Sequence, residues 1–176
     1  MTMRMLHGIR TEVAGLFNSF KPRAPEDVRY HRTFDFPTRT TLVGLLGAAL
    51  GLGEKELYTG WDGGPPLTER VETASVLLNI VGRVRDYWTI RKIVERKEKG
   101  RRKAAFSAMQ VREQLFKPSY RLFFASEDER LVGRIYERLR DPVYPLCLGR
   151  DDELVRVDSL QPCELRELKP PFTLSN

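Results

Sequence analysis

Ten of the thirty Lys and Arg residues fall between Arg83 and Lys103, among only three acids, Asp86, Glu95 and Glu98. That window carries +7 against +6 for the whole chain, so the remaining residues sum to −1. Its cations are Arg83, Arg85, Arg91, Lys92, Arg96, Lys97, Lys99, Arg101, Arg102 and Lys103, with Tyr87 and Trp88 set among them. Cations of this kind neutralise phosphates, and interleaved rings offer faces to bases, each stacked base contributing roughly 1–3 kcal/mol. A solvated charged hairpin is the plainer fate of a mixed-charge run. The arginines outnumber the acids too far for local neutralisation, which favours nucleic-acid contact. A second basic stretch, Lys21, Arg23, Arg29 and Arg32, lies in residues 18–37, where Pro22, Pro25 and Pro37 interrupt any helical or strand period. It reads as a long basic loop, and loops of that length in a compact domain are usually functional or disordered.

Groups suited to catalysis are scarce. The sequence has two histidines and two cysteines, with Cys147 and Cys163 in no CxxC pair. A structural zinc site is therefore not expected, and the thiols read as reduced and half-buried. Asp151-Asp152-Glu153 could be mistaken for a metal cluster, but adjacent acids on a turn do not converge on one ion unless the backbone loops around it. No cofactor is expected: the phosphate, nicotinamide, zinc and serine-nucleophile signatures GxxxxGK[ST], GxGxxG followed by an acid, HExxH and GxSxG are all missing. Tyr30-His31 is the one pair suited to metal-free RNA cleavage, since imidazole moves a proton near neutral pH. A loop histidine that contacts phosphate, or nothing, is the plainer reading of His31, and a packed, hydrogen-bonded side chain that of His7.

The elements that would position these residues follow from periodicity. With 176 residues, 41% of them apolar and 31% charged, one compact core is expected, spanning residues 1–176. The longest uncharged apolar stretch, Leu42 to Gly53, is twelve residues, against about twenty needed to cross a bilayer. Charged residues near the N-terminus interrupt any secretory signal, so a cytoplasmic location without membrane contact is expected. Residues 3–14 alternate as a first strand, with Met3, Met5, His7, Ile9, Thr11 and Val13 on one face. Leu42, Leu45, Leu46, Ala49 and Leu50 form one helical stripe over Thr38 to Leu50. The opposite row, Gly44, Gly47, Ala48 and Gly51, is nearly bare, which suggests close approach, by packing or by an RNA backbone.

A Gly/Pro-rich connector is expected from Leu52 to Arg70. A strand then runs from Val71, with Val76, Leu78, Ile80, Gly82 and Val84 on one face and Leu77, Asn79, Val81, Arg83, Arg85 and Tyr87 on the other. The second row changes from apolar to basic and aromatic, as the stem of a protruding hairpin would, with Gly100 at a plausible tip. Pro118 to Ala125 reads as the returning strand. Ser126-Glu127-Asp128-Glu129 offers a capping box with Ser126 as N-cap, for a helix burying Leu131, Val132, Ile135, Tyr136 and Leu139 and ending at Pro142. A last strand is expected in Leu154 to Leu168. The resulting order predicts an α+β, ferredoxin-like (RRM-like) βαββαβ sandwich with a long basic hairpin.

Three segments together resemble the CRISPR-associated RAMP superfamily and, within it, the Cas-five family. They are Val13-Ala14-Gly15-Leu16-Phe17-Asn18-Ser19-Phe20, Phe36-Pro37-Thr38 leading into Leu42 to Gly51, and Asp141-Pro142-Val143-Tyr144-Pro145-Leu146-Cys147-Leu148-Gly149-Arg150-Asp151. The last looks like that family's glycine-containing loop. The resemblance implies a non-catalytic subunit of a type I Cascade effector complex in antiviral defence. Its partners would be the 5′ handle of the CRISPR RNA, the Cascade backbone and large subunits, and target DNA near the handle end. It further implies a thumb at about residues 90–116 and a handle-facing loop containing Leu148, Gly149 and Arg150. One subtype of the family cleaves precursor RNA with a Tyr, Lys and His constellation; His7 and His31 have no lysine beside them, which argues against that activity. A metal-independent endoribonuclease and a basic protein-interaction module without RNA are the alternatives.

Overall fold

The computed structural model describes residues 5–22, 29–93, 97–98, 101–102 and 105–166. In chain order the elements are β1 (Met5–Gly15), β2 (Phe17–Asn18), β3 (Tyr30–His31), α1 (Arg39–Leu50), α2 (Glu54–Tyr58), α3 (Leu67–Arg70), β4 (Glu72–Asn79) and β5 (Gly82–Ile93). They continue with β6 (Lys97–Glu98), β7 (Arg101–Arg102), β8 (Ala105–Phe116), β9 (Ser119–Ser126), α4 (Glu129–Arg140) and β10 (Val155–Arg166). The fold is mixed α+β, with sheets antiparallel except where the two-residue β3 runs parallel to β8. A four-stranded sheet has the order β10-β1-β9-β4, and every neighbouring pair in it is antiparallel. A second sheet is the β5–β8 hairpin, paired from Gly82↔Phe116 to Ile93↔Ala105, with β2 and β3 also paired to β8.

Alternation buries Ile9, Thr11 and Val13 of β1 while His7, at the end of the same row, stays exposed, contrary to the packed histidine expected there. Opposite them α4 lays down Leu131, Val132, Ile135 and Leu139, with Tyr136 packed at the margin. The predicted N-cap shifts by two residues. Asp128, not Ser126, accepts from the Leu131 amide at 3.1 Å, while the Ser126 hydroxyl accepts from the Asp128 amide and donates to the Arg70 carbonyl. That arrangement satisfies the Leu131 amide, which has no partner within the helix, and places a carboxylate at the positive end of the helix. The Leu131 amide and the Arg70 guanidinium together hold the Asp128 carboxyl below its ordinary range.

Helix α1 is capped by Thr38, whose hydroxyl accepts from the Thr41 amide, and by Gly51 in the left-handed conformation. It buries Val43 and Gly47 as well as the predicted stripe, so it is enclosed on more than one side. The bare row proves to be a packing surface at two positions. Leu57 of α2 comes within 3.0 Å of where a Gly47 Cβ would stand, and Val143 within 2.9 Å of one on Gly51; Gly44 faces open space. The chain after α4 crosses the C-terminal end of α1, where the Val143 and Tyr144 amides donate to Ala49 and Ala48 carbonyls at 3.0 and 3.1 Å. The Ala48 carbonyl has only a long 3.4 Å bond from the Gly51 amide within the helix cap, so the crossing completes the pairing of the last turn.

Two further expectations needed correction. The 52–70 connector contains α2 and α3, because Leu57 and Leu67 enter the core and anchor one helical turn each. The strand expected from Val71 through Tyr87 is two strands in different sheets, and the row drawn as apolar is not buried: Val76, Leu78 and Val84 are exposed, as are Leu77 and Val81. The Gly100 tip lies outside the described residues; β6 and β7 pair on either side of it, Glu98 opposite Arg101.

Candidate nucleic-acid interface

Antiparallel pairing puts directly opposed side chains on one face and alternate residues on the other. Along β5 this sends Arg83, Arg85, Tyr87, Thr89 and Arg91 to an exposed face, with Met109 and Ser107 of β8 opposite Thr89 and Arg91 and equally exposed. Tyr87 and Met109 are each 66% exposed. Cations, a phenol and a thioether thus share one solvent-facing strip. At its base the strip is partly neutralised, since Arg83 pairs with Asp35 and, at 3.5 Å, with Glu113. Next along, the Arg85 guanidinium lies over the Tyr30 ring at 5.8 Å.

The other face of the hairpin turns toward the protein. Trp88 there is half-buried, its indole NH donating to Asp86 and its ring covered by the guanidinium groups of Arg112, 4.0 Å from the centroid, and Arg150, 5.4 Å away. Arg150 also meets Nδ1 of His31 at 3.2 Å. Arg112 is buried, paired at 3.5–3.8 Å with Asp152, Asp86 and Glu153. Its position on Trp88 adds a cation–π attraction that is stronger away from water.

Below this stack the Leu148-Gly149-Arg150 turn is tied down by Glu153, which is 1% exposed. Its carboxylate accepts from the Ser19 amide (2.7 Å), the Ser19 hydroxyl (2.5 Å), the Arg150 amide (3.0 Å) and the Gln114 amide group (3.4 Å). Asn18 adds a 2.6 Å bond to the Leu148 carbonyl. Gly149 has φ +122, and a Cβ on it would overlap the Glu153 carboxylate and stand 2.6 Å from the Ser19 carbonyl. Only glycine fits so close an approach in that conformation. The turn therefore presents the exposed Gly149 backbone and the half-buried Arg150 side chain on a rigid support, while Leu148 is fully buried in the core.

The sequence pattern of the CRISPR-associated protein (Cas_Cas5) family matches residues 8–173. The chain belongs to this family. Its fold is similar to that of a chain in "CRISPR RNA-guided surveillance complex", with a TM-score of 0.58 and 21% identity over 82% of this chain and 58% of that one. It is also similar to a chain in "Cryo-EM structure of the Type III-B Cmr-beta bound to cognate target RNA", with a TM-score of 0.57 and 12% identity over 89% of this chain and 60% of that one. The Cas_Cas5 chain thus spans less than two-thirds of the length of either. No curated protein matches it.

Within this Cas_Cas5 chain the residues singled out from sequence separate into groups. Arg83, Arg85, Tyr87 and Arg91 share the outer face of the hairpin, and Trp88 and Arg150 meet on the inner one. The indole expected to stack on bases is instead covered by two arginines. Leu148 contributes its carbonyl rather than its side chain. Lys21, Arg29 and Arg32 are exposed, and the Arg29 carbonyl accepts from the Val111 amide of β8 at 2.8 Å, so this part of the basic loop is laced to the hairpin. Arg23, Arg96 and Lys103 lie outside the described residues, as do the side chains of Lys92, Lys97, Arg101 and Arg102.

Sequence reasoning missed Arg112, Gln114, Ser19 and the inward turn of Glu153. The Asp151-Asp152-Glu153 triplet was the available signal, but only the third carboxylate points in. Among the described residues no group of His, Cys, Asp and Glu has the arrangement to hold a metal. Cys147 and Cys163 are free, half-buried thiols. Burial pushes both up from the ordinary thiol value, Cys147 further aided by Asp151, Asp152 and Glu153, so neither is an activated nucleophile.

Proposed function

We propose that the protein is a non-catalytic RNA-binding subunit of a type I Cascade effector complex, holding the 5′ handle of the CRISPR RNA in antiviral defence. The observation that carries this reading is the outer face of the β5–β8 hairpin, where Arg83, Arg85, Tyr87 and Arg91 alternate into solvent on one side. The arginines would meet phosphates and Tyr87 a splayed base, while the Gly149 backbone and Arg150 offer donors beside them. The strand order β10-β1-β9-β4, with α1 and α4 as the crossings, supports taking the core as ferredoxin-like βαββαβ. The hairpin is then its thumb, its pairing reaching back to Gly82 rather than beginning near residue 90.

Contacts with the backbone and large subunits form part of the same proposal. They are supported by β4, an edge strand of the four-stranded sheet that leaves Val76, Leu77 and Leu78 exposed, with Val81 just beyond it. A sheet edge with an apolar face is a surface other chains readily cover.

The deciding measurement is the affinity of the purified protein for handle RNA across a salt series. Replacing Arg85 and Arg91 with alanine should weaken binding and shallow the salt dependence by about two phosphate contacts; an unchanged affinity and slope would count against the proposal. The same RNA incubated with the protein in EDTA should stay intact. Specific cleavage that disappears in His31→Ala would instead favour the endoribonuclease.

A further inference from the structure

Phe34 and Phe36 are 43% and 54% exposed, although the segment that carries them is tied to its neighbours by several hydrogen bonds. The Phe20 amide donates to the Thr33 hydroxyl at 2.7 Å, the Thr33 amide to Glu113 at 3.2 Å, and the Phe34 amide to the Phe20 carbonyl at 2.9 Å. Between the two rings, the Asp35 carboxylate pairs with Arg83 and the Asp35 carbonyl accepts from the buried Tyr120 hydroxyl at 3.1 Å. Pro37 is buried immediately after. So many fastenings under two apolar rings that stay about half exposed indicate that the rings are held out for a ligand.

The ring geometry indicates which ligand. The centroids are 6.3 Å apart and the planes within 13° of parallel, so the pair presents flat faces in one orientation rather than the edge-to-face packing of a core. The surroundings are polar and cationic: exposed Arg32 and Thr40 flank the rings in sequence and Arg83 reaches Asp35 between them, while Arg39 is held by Glu72 and the Thr68 and Val71 carbonyls. An apolar protein surface would find a broken patch here, whereas a planar base with its phosphate finds rings and cations side by side. We propose that Phe34 and Phe36 form a stacking shelf for an unpaired nucleobase of the bound RNA. This rests on the RNA-binding reading above and adds a second contact site to it, joined to the base of the hairpin's outer strip by the Asp35–Arg83 pair.

The test uses the full chain and short single-stranded RNAs carrying 2-aminopurine at successive positions. Binding should quench the fluorescence of at least one position. The Phe34→Ala/Phe36→Ala double variant should lose that quenching and bind about tenfold more weakly, with an unchanged salt slope because no phosphate contact is removed. Phe34→Trp should retain or deepen the quenching. If the double variant binds RNA and quenches like the parent, the shelf is wrong while the hairpin reading stands. If the parent binds no RNA even at low salt, both readings fall. If the double variant binds RNA normally but no longer copurifies with protein partners, the rings serve a protein contact and the proposal is overturned.

Discussion

An ionised carboxylate taken out of water is costly unless donors surround it, and Glu153 meets four, two of them on Ser19, more than a hundred residues earlier. Nothing near it in sequence announces this role, because Asp151 and Asp152 share its chemistry and remain exposed. Gly149 shows the same limit. The Leu-Gly-Arg pattern was legible as a loop, but the reason for glycine is the Glu153 carboxylate packed against its α-carbon. Gly149→Ala should therefore cost about 2 kcal/mol or more, since strain at positive φ adds to a displaced buried anion. Urea denaturation of the purified variant would measure it; a loss below about 0.5 kcal/mol, the scale of an ordinary surface change, would show that the turn yields easily. Trp88 carries a related lesson. An aromatic residue among arginines reads as a base-stacking group, yet its position on the inward face of β5 gives it to Arg112 and Arg150.

Among the elements, the strongly periodic ones were legible. β1, α1, α4 and β10 fall where alternation and helical stripes put them, and Pro37, Gly51 and Pro142 mark their limits. The connector was not, because α2 and α3 are one turn each and owe their existence to Leu57 and Leu67 entering the core rather than to any local pattern. β4 and β5 were fused for a similar reason: apolar Ile80-Val81 masks the turn-prone Asn79 and Gly82 on either side of the break, and apolar residues on both faces of β4 hide the change of sheet. Those exposed residues also yield a prediction. Leu78→Lys together with Val81→Lys should leave thermal unfolding nearly unchanged, as surface substitutions do. Recovery of partner subunits in affinity purification should fall sharply; full recovery would remove this edge from the list of interfaces.

At the scale of the whole molecule, Tyr120 joins the two sheets' surroundings through its packing on Phe20 and its hydroxyl bond to Asp35. Burial raises its phenol well above the ordinary value of 10.0, with Asp35 and Glu153 adding to the effect. The unfolded chain ionises this group first, so stability from it is complete below about pH 10 and declines as the pH rises further. Tyr120→Phe should lose about 1 kcal/mol near neutrality with the hydroxyl bond, and its unfolding free energy should fall less steeply above pH 10 than that of the parent. Parallel curves for the two proteins would show that other groups govern alkaline unfolding. No helix among the described residues is long and apolar enough to cross a membrane, and the mixed α+β class was readable from sequence. The inward and outward faces of the hairpin were not, since they depend on what β2, β3 and the Gly149 turn lay against β8.

Because the Gly149 turn is held by Asn18, Ser19 and Gln114 as well as by its own Glu153, it is not a portable cassette. Transplanting residues 146–154 alone into a related scaffold would carry the buried anion without its donors, and a working chimaera would have to bring all three distant positions along.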